Sequence, residues 1–358
     1  MSSSQTYSPF RSVLLREWRR MTSRRLYFGV CIILPLFTLF FMATIFGNGQ
    51  MENIPIGIVD QDNTASSRAI ARNISAVPTF KVTRHFVNEE AARKAVQKKE
   101  IYGYLSIPPK FEQDAISGKN ATLSYYYHYA LLSVGGELMA AFETSLAPVS
   151  LSPIVMQAVA LGVEQDKITT FLLPVQASNH PIYNPSLDYS VYLSQPFFFV
   201  LFQVLILLIT VYAVGIEIKF RTADEWLFVA KGNMVTAVLG KLLPYTIIFI
   251  LIGWLANYVM FGILHIPFQG SWLLMNMLTA LFVVATQALG LFLFSLFPAI
   301  SLIISIVSMV GSLGATLSGV TFPVTNMYPL VRDASYLFPV RHFTEMMQNM
   351  LYGGSGFI

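Results

Sequence analysis

Two stretches decide how this chain is built: LYFGVCIILPLFTLFFMATIF (residues 26–46) and VYLSQPFFFVLFQVLILLITVYAVG (residues 191–215). Each is long and apolar enough to cross a bilayer, which takes roughly 20 residues at about 1.5 Å per residue. Some 140 water-compatible residues separate them, and from about Tyr192 to about Val320 the sequence stays almost continuously apolar. The layout is therefore one membrane helix, a folded domain on one side, then a cluster of membrane helices. The composition agrees: 54% of the 358 residues are hydrophobic and 12% charged, about half the charge of an ordinary soluble domain.

Working outward, five segments qualify as spans: Leu26–Phe46, Val191–Gly215, Val238–Leu264, Ser271–Leu296 and Ile300–Val320. The first is flanked by Arg19, Arg20, Arg24 and Arg25 and lacks a small-residue cleavage site, so it reads as a retained anchor. Pro35 inside it is tolerable in a packed membrane helix. Orientation follows from Lys and Arg in the loops. The N-terminal segment holds Arg11, Arg16, Arg19, Arg20, Arg24 and Arg25, with Glu17 as its acid, and the loop after the second span holds Lys219, Arg221 and Lys231. Both fall on one side and are expected to be cytoplasmic in a cell inner membrane. The expected division is 1–25 cytoplasmic interfacial helix, 26–46 first transmembrane helix, 47–190 extracytoplasmic domain, 191–320 transmembrane helices two to five, and 321–358 extracytoplasmic re-entrant segment. A sixth crossing is expected beyond Gly353, so the chain is expected to stop short of it.

The fold class is thus an α-helical integral membrane protein with an inserted α/β domain. In the insert, Ile54–Val59, Phe80–Phe86, Ile101–Ile107 and Thr122–Tyr127 read as strands, alternating with helices at Ser66–Ile74, Glu89–Lys99 and after Pro108–Pro109. The region from about Leu131 to Gln165 reads as helical, and Asn179–Asp188 as an irregular link. The single cysteine, Cys31, excludes an intramolecular disulfide.

Catalytic motifs are missing. The sequence holds no GxxxxGK[ST], HExxH, CxxC or GxSxG pattern, and its five histidines show no ligand spacing. The modest net charge of +4 clusters beside the membrane and does not point to nucleic acid. Polar residues inside the spans include Gln195, Gln203 and Gln287, which either line a substrate path or bond helix to helix. Gly311, Gly314 and Ser318 form a small-residue face that suits close helix packing or a dimer seam. No carboxylate lies deep in a span, which counts against gradient-driven transport.

Two segments are candidate functional surfaces. Glu217, Lys219, Arg221, Asp224, Glu225, Trp226 and Phe228 mix charge with aromatics after the second span. They fit an amphipathic helix for a partner's groove, or a solvated loop with a tryptophan anchor. Near the N-terminus, Phe10, Val13, Leu14 and Trp18 share a helical face, with Arg11, Arg16 and Arg19 away from it. This fits an interfacial helix.

Three stretches together resemble the permease subunits of bacterial ATP-binding-cassette exporters, in the type-2 class with a large extracytoplasmic domain after the first span. They are Ile58-Val-Asp-Gln-Asp-Asn-Thr-Ala-Ser-Ser-Arg followed by Ile101-Tyr-Gly-Tyr-Leu-Ser-Ile-Pro-Pro-Lys-Phe-Glu with Gly118; Gly215-Ile-Glu through Gly240-Lys241-Leu-Leu-Pro; and Leu317-Ser-Gly-Val-Thr-Phe-Pro with Met327-Tyr-Pro, Pro339 and Gly353. The family's loop usually reads Glu-Arg-Glu and then Gly-Thr, where this chain has Glu217-Ile-Lys and then Arg221-Thr222. The resemblance implies a non-catalytic half-transporter that binds a separate ABC ATPase subunit and a second permease copy, identical or paralogous, with a periplasmic adaptor as a further partner. It implies no cofactor in this chain, with ATP and Mg held by the ATPase. It casts Glu217–Phe228 as the coupling helix, the segment with Arg16, Trp18, Arg19 and Arg20 as the elbow beside it, and the segment with Pro323 and Pro339 as the outer re-entrant cap. The cargo is expected to be amphipathic, lipid-like or drug-like. The rival reading is a membrane-anchored receptor or scaffold that binds a partner without transport.

Overall fold

The structure is a computed structural model that describes residues 8–23, 25–45, 51–117, 122–131, 133–146, 188 and 190–353. The chain divides into two compact units, Gln50–Pro181 and the remainder. The expected helix beyond residue 146, the link before Asp188, Gly118 and the sixth crossing fall outside the described residues.

In the membrane unit, α1 (Pro9–Ser23) is followed by α2 (Arg25–Phe28), a π turn (Gly29–Ile33) and α3 (Leu34–Ile45). The proline explains the π turn. Pro35 has no N–H and its ring crowds the carbonyl four residues back, Cys31. The helix widens there, and the Leu34 N–H bonds to the Gly29 carbonyl five residues earlier. The apolar helix Gly29–Ile45, which includes the π turn, is shorter than the segment Leu26–Phe46 read from the sequence. Among the described residues four helices are long and apolar enough to cross a membrane: Ser190–Lys219, Met234–Ile263, Trp272–Leu296 and Ile300–Leu317.

The insert forms the second unit. β1 (Ile54–Asp60), α4 (Ala65–Ser75), β2 (Phe80–Phe86), α5 (Glu89–Gln97), β3 (Gly103–Ile107), α6 (Phe111–Ile116), β4 (Ser124–Tyr127) and α7 (133–146) follow in order. The sheet runs β2-β1-β3-β4, with β1 parallel to both neighbours and β4 antiparallel to β3. β1 is buried on both faces, which is why it reads as a continuous apolar run. On one face Ile56 and Leu105 pack with Ile70, Phe111, Leu138 and Phe142 of the helices. On the other, Val59 and Tyr104 pack with Ala92 and Ala95 of α5. Thr64 caps α4 by accepting from the Ser67 N–H, while the Ser67 hydroxyl accepts from the Thr64 N–H and donates to Asp60. Replacing the fully buried Phe142 by Ala removes the ring that contacts Phe80 at 4.6 Å. The expected cost is about 3–5 kcal/mol, seen as faster hydrogen exchange in β1 and β3 of the intact protein.

The remaining membrane helices are α8 (Gln195–Lys219), α9 (Ala223–Val229), α10 (Met234–Asn257), α11 (Trp272–Leu296) and α12 (Ile300–Leu317), and then α13 (Pro329–Ser335) and α14 (Pro339–Gln348). α8 is the central helix, buried along most of its length. α12 meets it through small residues. A Cβ on Gly311 would stand 2.8 Å from the Val204 side chain, and one on Gly314 2.6 Å from the Gln203 amide. Ser318 donates to the Ala315 carbonyl at 2.7 Å. In this chain the small-residue face is thus spent on packing against α8. Pro339 opens α14, whose Phe343 ring contacts Phe199 at 4.1 Å and Phe282 at 4.9 Å. Pro323 is exposed and precedes a single 3₁₀ turn.

The amides in the spans bond helix to helix. Gln195 donates to Asn257 at 3.2 Å, and Asn257 donates to Asn276 and Thr279, tying α8, α10 and α11. Gln203 accepts from the Val340 N–H at 2.9 Å and so caps α14, while Gln287 accepts from Thr246 at 2.7 Å. Each of the three glutamines keeps one buried amide atom without a hydrogen-bond partner among the described residues: Gln195 Oε1, Gln203 Nε2 and Gln287 Nε2.

Candidate functional site: a buried charge joint

Glu17, Glu217 and Lys241 come from three different helices and are all almost fully buried. The Lys241 ammonium donates to Glu17 Oε2 at 2.6 Å and to Glu217 Oε1 at 2.7 Å. Tyr245, one turn on along α10, donates to Glu17 Oε1 at 2.7 Å. Arg16 reaches Glu217 with two nitrogens, at 2.9 and 3.2 Å, and Arg20 donates to the same carboxylate. Thr222 closes the remaining side of Glu217. Every carboxylate oxygen has a donor, as a buried charge requires. Burial works against the Arg20 charge, but the hydrogen bond and proximity of Glu217 more than offset it and hold that guanidinium above its ordinary pKa.

Local sequence explains the assembly. Val13, Glu17 and Met21 recur every four residues and form the buried stripe of α1, with Arg16 and Arg20 beside Glu17. Of the four residues read as one interfacial face, Phe10, Val13, Leu14 and Trp18, Val13 turns inward and Leu14 is half-buried. Trp18 is 49% exposed and Phe10 38%, because α1 lays Val13 and Glu17 against α10. Gly240 permits that approach, since a Cβ there would stand 3.0 Å from Val13 and 3.2 Å from the Phe10 carbonyl. Arg19 is exposed.

The second span also runs further than expected. α8 continues through Gly215 to Lys219, so Glu217 lies in the helix and not in a loop. The chain then turns at Arg221, whose φ of 55° is in the left-handed region. That is the position where the resembling family usually carries glycine, and glycine takes this conformation without strain. Lys219, Arg221, Asp224 and Glu225 are exposed, and Glu225 lies 3.6 Å from Arg16. Trp226 is buried: its indole N–H donates to the Ala237 carbonyl at 3.2 Å, and Lys241 lies 5.4 Å from its ring. Phe228 is 83% exposed. It borders an open groove of about 760 Å³ that Ser12 of α1, Leu227 and Lys231 also line. Of the residues read as one coupling segment, Glu217 and Trp226 therefore hold the segment in place, and the others form its outer surface.

Glu17, Lys241 and Tyr245 were not singled out from the sequence. A lone acid among arginines and a lone lysine inside an apolar span were the available signals. Among the described residues no group of His, Cys, Asp or Glu has metal-binding geometry.

A family model described as ABC-2 family transporter protein matches residues 25–358. The chain belongs to that family. The protein named "Probable multidrug ABC transporter permease YbhS" of Escherichia coli K12 is 21% identical over 96% of this chain and 89% of its own length. The "Inner membrane transport permease YhhJ" of the same strain is 21% identical over 86% of this chain and 79% of its own length. No solved structure matches the chain. Members of this family are non-catalytic transmembrane subunits of ABC transporters, with ATP hydrolysed by a partner ATPase, and this chain is a multi-pass membrane protein of that kind.

Three substitutions test the joint and its rim. Lys241→Met leaves two buried carboxylates facing each other and is expected to cost about 3–5 kcal/mol. Glu225→Gln, at the exposed rim, is expected to cost about 0–1 kcal/mol. Arg221→Gly relieves the left-handed residue and is expected to stabilise by about 0.5–1 kcal/mol. Thermal unfolding of the purified protein in detergent ranks the three.

Proposed function

We propose that this chain is the permease of an ATP-driven exporter and that the surface around Phe228 receives the ATPase. The observation that carries the reading is an exposed aromatic on a short helix whose other face is anchored by buried Trp226, with the buried charge joint of Glu17, Glu217 and Lys241 on the helices that flank it. Phe228 and the groove beside it offer a docking surface, while Trp226 and Glu217 tie the same segment to α1, α8 and α10. A push on α9 is then transmitted through short, charged contacts to two long helices instead of being absorbed by a flexible loop. Lys219, Arg221 and Lys231, with the arginines of α1, support a cytoplasmic position for this face under the positive-inside rule. The α/β unit Gln50–Pro181 then lies outside.

ATP and Mg would be bound by the ATPase alone, and a second permease copy, identical or paralogous, would complete the pathway. Amide groups that are engaged between helices, with no carboxylate at mid-membrane, suit an amphipathic, lipid-like or drug-like cargo better than a hydrophilic ion. One relative's name, which specifies multidrug transport, points the same way. An adaptor would dock on the outer unit.

Reconstitution with the ATPase tests this reading. Phe228→Ala is expected to weaken ATPase co-purification by about tenfold, the loss typical of one well-buried aromatic contact, and to leave thermal stability unchanged. Trp226→Ala is expected to lower stability as well. Wild-type ATPase binding and transport by Phe228→Ala would rule out the docking surface.

A further inference from the structure

A second cavity, of about 350 Å³, opens on the other flank of α1, between its last turn, α2 with the π turn, and α10. Met21, Tyr27 and Cys31 form its buried floor, and Ile248 of α10 closes one wall. Trp18, half-exposed, and Arg25, exposed, stand at its rim. Its size falls at the lower end of the about 300–1,000 Å³ typical of small-molecule sites.

The lining sorts into one chemistry. Arg25 is its single charged residue, and no carboxylate lines it. Arg25 makes no ion pair among the described residues, unlike Arg16 and Arg20 on the opposite flank. Tryptophan and arginine are the side chains that belong at headgroup level, and they stand here where an amphipathic helix meets the first apolar helix. Beneath them the walls are apolar. We infer that this cavity binds one anionic phospholipid from the leaflet on the α1 side, its phosphate at Arg25 and an acyl chain over Met21, Tyr27 and Cys31. Charge complementarity selects the occupant: Arg25 supplies a charge-assisted bond to phosphate, and a basic pocket between membrane helices favours an anionic headgroup. The site is separate from the charge joint, and its occupancy depends on neither ATPase coupling nor transport direction.

Photoactivatable lipids provide the test. The full chain is placed in vesicles containing trace diazirine-acyl phosphatidylglycerol or, in parallel, the same fraction of diazirine-acyl phosphatidylcholine, and adducts are mapped by peptide mass spectrometry. Phosphatidylglycerol is expected to label residues 18–32 about fivefold more than phosphatidylcholine, the ratio that one arginine near a headgroup gives. Arg25→Gln, an exposed change that leaves the fold intact, is expected to erase the preference. Cys31→Phe, which fills the floor, is expected to remove the adducts of both lipids. Equal labelling by the two lipids in the wild-type protein, or a preference that survives Arg25→Gln, would overturn the assignment. Absence of adducts with either lipid would do so too, and would leave the cavity to a helix of a second copy.

Discussion

The Lys241 ammonium, held at 2.6 Å from Glu17 and 2.7 Å from Glu217, is the contact on which the rest of the membrane unit's α1-side face depends. Neither carboxylate is tolerable in that position alone, because an unpaired charge removed from water costs several kcal/mol. The requirement works as a constraint on geometry. α1 must sit where Glu17 reaches α10, α8 must continue to Glu217, and the chain must turn at Arg221 so that Thr222 can bond back. The groove beside Phe228 and the cavity beside Arg25 are the two flanks left open once α1 is fixed in this way. They differ in chemistry because the arginines of α1 divide between them: Arg16 and Arg20 are consumed by the joint, and Arg25, just beyond the helix end, is not.

Away from that face the unit is held by weaker and more numerous means. Neutral amides link α8 to α10, α11 and α14, and small residues let α12 approach α8. Interhelical bonds of this kind contribute about 0.6 kcal/mol on average. Along α8 the paired charges lie at the Glu217 end, Gln203 lies mid-helix, and the Gln195–Asn257 bond lies at the opposite end, a turn from Phe199 and the aromatic cluster around Phe343.

Sequence reading identified the long apolar helices correctly because hydropathy over some 20 residues leaves little alternative. The β1–β3 strands and their helices were equally plain, since buried strands and the Thr64 cap are written locally. What was not legible was pairing across the chain. Val13 was grouped with Phe10, Leu14 and Trp18 on one interfacial face, yet Gly240 lets α10 take up Val13 and Glu17, and nothing within α1 announces Gly240. Glu217 was grouped with the charged and aromatic residues after the second span, but three cations, Arg16, Arg20 and Lys241, make its burial tolerable. Composition marks the first apolar segment as helical; the π turn within it comes from Pro35 acting on one carbonyl.

The length of the separation has a consequence for biosynthesis. Glu17 and its ammonium partner are 224 positions apart, and translation at about 5–20 residues per second places about 10–45 s between them. During that interval α1 can only rest at the water boundary with its acid hydrated. The joint is thus completed only after α10 has been made, and a chain interrupted before Lys241 has Glu217 to receive Arg16 and Arg20 but no ammonium for Glu17.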